Sequence, residues 1–210
     1  MPRILITAFA PFLQWPTNAS EQILSNWQER RPVTGNCEVI TEVLPVDYAQ
    51  AEPRIRKLLA DEFDFALHLG QSARIDFFAL EMVALNLKHD AQTPLSPLNP
   101  GGPAAYISPL PLESWAADLS QQGIPAQVSL HAGSYLCNAA YFWSNEAMHQ
   151  QHRRQRQLAD RSLFVHVPHL DRLSADEGHA LDLGRRMVTR LLERVESYLT
   201  GFAGTSFGTA

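Results

Sequence analysis

Three residues carry side chains that could together make and break a covalent bond. Cys137 follows Ala132-Gly133-Ser134-Tyr135-Leu136, a turn-like segment ahead of a helical pattern. A helix start offers unpaired N–H groups and partial positive charge, which suit an anionic sulfur and an oxyanion formed by its attack. The competing reading is a small apolar residue packing a helix on a sheet. His166 sits inside the apolar run Leu163-Phe164-Val165-His166-Val167. Burying an unpaired imidazole is costly, so it is either a satisfied core histidine or a general base. His169 is close by, but Pro168 and the following turn are expected to send it to the surface. Glu81 interrupts the run Phe77–Leu87. A carboxylate there either faces water or orients an imidazole, the third part of a cysteine–histidine system.

The elements that must place these groups alternate. Arg3–Phe9, Cys37–Leu44, Asp64–Leu69, Phe77–Leu87, Ala126–Leu130 and Ser162–Val167 read as strands. Helical patterns cover Asn18–Arg31, Asp47–Ala60, Leu112–Gln122, Gly133–His149 and Ser174–Leu199, and Asn18 with Glu21 resembles a capping box. The proline-rich stretch Asp90–Pro111 reads as a functional loop or a hairpin. This order predicts an α/β fold: a single-domain three-layer α/β/α sandwich with a mostly parallel twisted sheet over residues 1–200, and a flexible tail over 201–210. Ligands in such folds gather at the carboxyl ends of strands. Phe9–Asn18, Gly70-Gln71, the turn before Cys137, and His166 are the segments expected there.

Composition narrows the class. The 210 residues include 17 basic and 22 acidic side chains, a net charge of −5, with 45% hydrophobic and 19% charged residues. This is an ordinary globule, and its acidic balance argues against nucleic acid or an anionic membrane as partner. The basic run His149–Arg156 reads as a solvated helix end. No apolar stretch approaches the ~18 residues of a membrane span, and the N-terminus lacks a signal-peptide pattern. A cytoplasmic protein is the expectation. Cys37 and Cys137 are the only cysteines, too few to staple the domain and without zinc spacing. Cys37 reads as filler. Phe9 and Phe12 flank Pro11 after the first strand, where they could sandwich a flat uncharged ring or plug the core.

From about Ile4 to Leu199 the chain resembles the pyroglutamyl peptidase I family. The resemblance rests on ordered segments: LITAFAPF with Asn18-Ala19-Ser20, Leu44-Pro45-Val46, Leu69-Gly70-Gln71, EMVALN from Glu81, Gly102-Pro103-Ala104-Ala105-Tyr106, Ala132-Gly133-Ser134-Tyr135-Leu136-Cys137-Asn138, and Phe164-Val165-His166-Val167-Pro168. It implies a cysteine exopeptidase that removes an N-terminal pyroglutamyl group through a thioester, with no metal or cofactor. Cys137 would be nucleophile, His166 base and Glu81 its orienter. Phe9, Phe12 and Tyr135 would wall the ring pocket, and Asn18 and Gln71 would meet its amide edge. Gln92 and the Cys137 backbone mark the oxyanion region. The partner would be a small peptide with a blocked N-terminus, the quaternary state a homodimer or homotetramer. Departures fall around the pocket: Ala8 and Ala10 replace family glycines, Ala19 a proline, Ser72-Ala73-Arg74 a glycine-rich stretch, Met82 an arginine, and Gln92 the arginine of D-A-R-x-P. The alternatives are a hydrolase of the same mechanism acting on another small acyl or cyclic amide group, and a non-catalytic small-acid binding protein.

Overall fold

The strand Arg3–Phe9 (β1) is buried from Ile4 onward. Such an unbroken apolar run has to be covered on both faces. A computed structural model describes residues 1–12, 15–30, 37–89, 94–155 and 161–203. In it β1 pairs in parallel with Glu38–Leu44 (β2) on one edge and Phe65–Ser72 (β3) on the other. Strand β3 continues past Leu69 through Gly70 and Gln71 because both pair with Ser162–Pro168 (β7), at His166 and Val167. Phe78–Leu85 (β4) lies beyond β7, antiparallel to it and joined over only Ala79–His166 and Leu80–Val165. Ala105–Ile107 (β5) then takes the place beside β4, and Ala126–His131 (β6) pairs parallel to β4 on its other edge. The described strands thus form one seven-stranded sheet in the order β2-β1-β3-β7-β4-β5, with β6 on β4. Its last strand in sequence is a central strand in space.

Helices Ala19–Glu29 (α1), Leu112–Gln121 (α3) and Glu177–Ala203 (α6) cover one face, and their core includes Ile4, Ile6, Leu67, Leu80 and Val165. Gly184 permits close approach of α6 to α1, since a Cβ there would fall 2.5 Å from Ile23. Tyr48–Leu58 (α2) and Leu136–Gln155 (α4) cover the other face, over Leu5, Ala66 and Phe164. Leu170–Leu173 (α5) is one short turn between β7 and α6. The expected three-layer single-domain fold is present.

Besides the longer β3 and the extension of α4 to Gln155, the structure differs from the expected elements in four places. Helix α4 starts at Leu136 rather than Gly133, because Gly133 takes a left-handed φ of +81° in the turn before it. The proline-rich segment contains β5, and Lys88 bridges to Ser96 at its start; residues 90–93 lie outside the described part. Helix α6 begins at Glu177, and α5 occupies the gap before it. It runs to Ala203, into the segment expected as tail, and residues 204–210 lie outside the described part.

Candidate active site

The centre of the site follows from side-chain alternation on β3 and β7. His68, Gly70, Phe164 and His166 share the face covered by α4, while Leu69, Gln71, Val165 and Val167 point to the α1–α6 face. Gly70 is paired with His166, and a Cβ on it would sit 2.5 Å from the Phe164 ring and 3.0 Å from the Cys137 sulfur. The missing side chain is therefore the space into which the sulfur and ring fit.

Strand β4 brings Glu81 to the same face, beside the two-residue seam with β7. Its Oε1 lies 2.6 Å from His166 Nδ1, with side-chain exposures of 2% and 14%. The Tyr141 hydroxyl donates to the Glu81 carbonyl at 3.2 Å and fixes this part of β4 against α4. With Nδ1 engaged, Nε2 is the nitrogen left for the sulfur. Burial alone would push the His166 imidazole down. The charge and hydrogen bond of Cys137, followed by those of Glu81, outweigh burial and raise it to about 10. The sulfur, imidazole and carboxylate are one electrostatic unit.

Cys137 is the second residue of α4. The first intrahelical bond runs from Ala139 N–H to Tyr135 O, so the N–H of Cys137 belongs to the turn that has no intrahelical acceptor. Asn138, fully buried, ties this turn to β4: its Oδ1 accepts from Leu85 N–H at 2.8 Å and its Nδ2 donates to the carbonyls of Leu85 and Leu87. Because β4 and β6 run against the other strands, the turn before Cys137 does not follow a strand pointing the way of β1, β3 and β7. The segment reaches the expected cleft, but the carboxyl-end rule is not the reason. The Asn138 clamp sets it instead.

The expected ring-binding residues divide. Phe9 is buried, 6.4 Å from Phe164, whose ring lies 5.0 Å from that of His166. Phe12 follows on the turn, partly exposed. Tyr135 is 39% exposed and stands edge-on to Tyr48, which also contacts Trp143. Asn18 caps α1: its Oδ1 accepts from Ser20 N–H and Oγ, and its Nδ2 donates to Ala10 O. Gln71 turns to the other face and accepts from Ala19 N–H at 2.7 Å. There it lines a cavity of about 310 Å³ with Trp15 and His169. Both amides hold the first turn in shape. His169 is not sent to the surface; it packs edge-on against Trp15 at 4.4 Å, with Nε2 enclosed. Gln92 lies outside the described residues.

A buried histidine that was not expected, His68, also lies on the active face. Its Nδ1 is 2.7 Å from Thr7 Oγ1, and burial lowers it to about 3, so it is a neutral core residue stacked by Phe164. Gly70, Asn138 and Tyr141 serve the site through space and backbone contacts. Gly70 and Asn138 were signalled only by their place inside the motifs, and Tyr141, outside them, by nothing.

A thiol, an imidazole and a carboxylate in one line at a helix start are the groups of a cysteine hydrolase. Comparison with known proteins agrees. The pyroglutamyl peptidase family model matches residues 2–189. The pyrrolidone-carboxylate peptidase of Clavibacter michiganensis is 34% identical over 178 residues, covering 80% of this chain and 79% of that protein. Its namesake from Pyrococcus furiosus is 32% identical over 177 residues, covering 80% and 81%. The crystal structure of the pyrrolidone carboxyl peptidase from Fervidobacterium islandicum superposes with a TM-score of 0.77 at 28% identity, over 94% of this chain and 99% of that one. The chain belongs to the pyroglutamyl peptidase family, a family of cysteine peptidases.

Proposed function

We propose that this enzyme hydrolyses the amide bond between an N-terminal pyroglutamyl ring and the next residue of a peptide. The observation that carries the reading is the Glu81–His166–Cys137 line on the α4 face. His166 holds the proton given up by Cys137, and the thiolate sulfur attacks the carbonyl carbon. The oxyanion meets the N–H groups of the first turn of α4, the Cys137 backbone among them. The intermediate collapses as His166 gives its proton to the leaving amine. Water, deprotonated by His166, then splits the thioester, releasing pyroglutamate and restoring the thiol. Glu81 orients the imidazole and steadies its charged form.

Phe9, Phe12 and Tyr135 are proposed as walls for the flat ring, with Asn18 and Gln71 holding the turn that bears the first two. On the resemblance alone, Gln92 is a further contributor to the oxyanion region. A neutral ring enters such a slot at little desolvation cost, whereas an ordinary ammonium terminus loses its hydration without a partner. The enzyme therefore requires a blocked end. No described helix is long and apolar enough to cross a membrane. The sequence supports a cytoplasmic location, and the family resemblance a homodimer or homotetramer, which light scattering would report.

The test is a fluorogenic pyroglutamyl amide with wild type and Cys137→Ala. Turnover by wild type, lost in the variant, is expected. Alkylation of Cys137 by iodoacetamide without turnover of that amide would leave the nucleophile but overturn the substrate. Neither turnover nor alkylation would overturn both.

A further inference from the structure

Lys88 lies where β4 leaves the sheet, between two ties to the segment bearing the sulfur. Leu87 O accepts from Asn138, and His89 N–H donates to Ser134 O at 2.8 Å. The Lys88 ammonium lies 5.8 Å from the centre of the Tyr48 ring. Tyr48 in turn stands against Tyr135, and its hydroxyl reaches Ser134 O. The cation is thus positioned from both ends: its backbone is fixed to the nucleophile turn, and its head rests on an aromatic ring packed on that turn.

Among the described residues no carboxylate pairs with Lys88. Asp47, next to Tyr48, accepts from Gln50 N–H as the cap of α2, and Glu81 is engaged with His166. An ammonium held on the turn that bears the nucleophile, with no carboxylate bonded to it among the described residues, offers a seat for an anion of the substrate. The pyroglutamyl ring carries no charge. The anion must come from beyond the scissile bond, and the side chain of the next residue is the nearest group that can supply it.

We propose that Lys88, seated on Tyr48, forms a subsite for an acidic side chain on the residue following pyroglutamate. The inference rests on the pyroglutamyl reading above and adds a preference within it. Three peptides test it, each pyroglutamyl-X-Ala with an amidated C-terminus, X being glutamate, glutamine or lysine. Wild type should show kcat/KM for glutamate about fivefold above that for lysine, the size expected of a partly exposed charge pair, and the ratio should shrink in 0.5 M salt. Lys88→Gln should bring the ratio near one, and Lys88→Glu should invert it. An even ratio in wild type, or a glutamate preference that survives in Lys88→Glu, overturns the subsite while leaving the peptidase reading intact. Failure of wild type to cleave all three peptides overturns the peptidase reading and the subsite with it.

Discussion

His166 keeps its proton far above the ordinary imidazole range, and the cause is the company of Cys137 and Glu81. The sign follows directly. The folded imidazole is protonated up to about pH 10, whereas an ordinary histidine titrates at 6.5, so its contribution to folding is complete below 6.5 and is lost as pH rises through about 10. Catalysis shares this limit, because the leaving amine needs the imidazolium proton. The kcat/KM profile should therefore be bell-shaped, with its alkaline limb near 10. A limb near neutrality would show that the pairing is not maintained in solution. Glu81→Gln removes the buried charge on the far side of the ring. It should lower kcat at least about a hundredfold and move the alkaline limb down. Glu177→Gln, at the exposed start of α6, should change neither; equal effects of the two substitutions would remove Glu81 from the mechanism. At this scale the sequence was informative. Glu81 and His166 are polar residues inside apolar runs, and such interruptions need a partner. Gly70 and Asn138 were not legible in this way, since one acts by leaving room and the other by gripping backbone.

Among the elements, the approach of α4 to β3 is the tightest constraint on the site. Gly70→Ala would put a methyl group into the Phe164 ring and against the sulfur. Overpacking of this kind costs about 1–3 kcal/mol. Thermal unfolding should show that loss, and kcat should fall with it because the sulfur is displaced from the imidazole. Unchanged kcat would mean that the ring alone gives way. The strands themselves were readable because runs such as Ile4–Phe9 and Leu163–Val167 are continuous and apolar. Strand β5 was not, since three residues in a proline-rich stretch owe their conformation to pairing with β4. Nor was the direction of β4: alternation tells which face a side chain takes, not which way a strand runs.

At the level of the whole molecule, Asp118 joins α3 to α6 through Arg190 and Arg194. Hydrogen bonds from Arg190 and then Arg194 hold its carboxyl well below the usual carboxylate range. Its contribution is complete above 3.8, where an ordinary aspartate titrates, and is lost as pH falls below it. The arginine side chains are 31% and 36% exposed, so solvent screening limits the contribution to about 1 kcal/mol. Asp118→Asn should lower the urea midpoint at neutral pH, and the gap from wild type should close as the pH falls below about 3. A gap that persists undiminished in acid would assign the effect to packing. Hydrolysis should be unaffected, since these helices lie on the face away from Cys137.

The position of β7 has a consequence for biosynthesis. Residues 162–168 are the last of the described strands to emerge from the ribosome, yet they fill the gap between β3 and β4 and carry His166. A nascent chain that already displays Cys137 and Glu81 has no base to unite them. On the proposed mechanism, proteolytic competence therefore arises only once β7 has been made, and fragments that stop before it are inert toward other peptides.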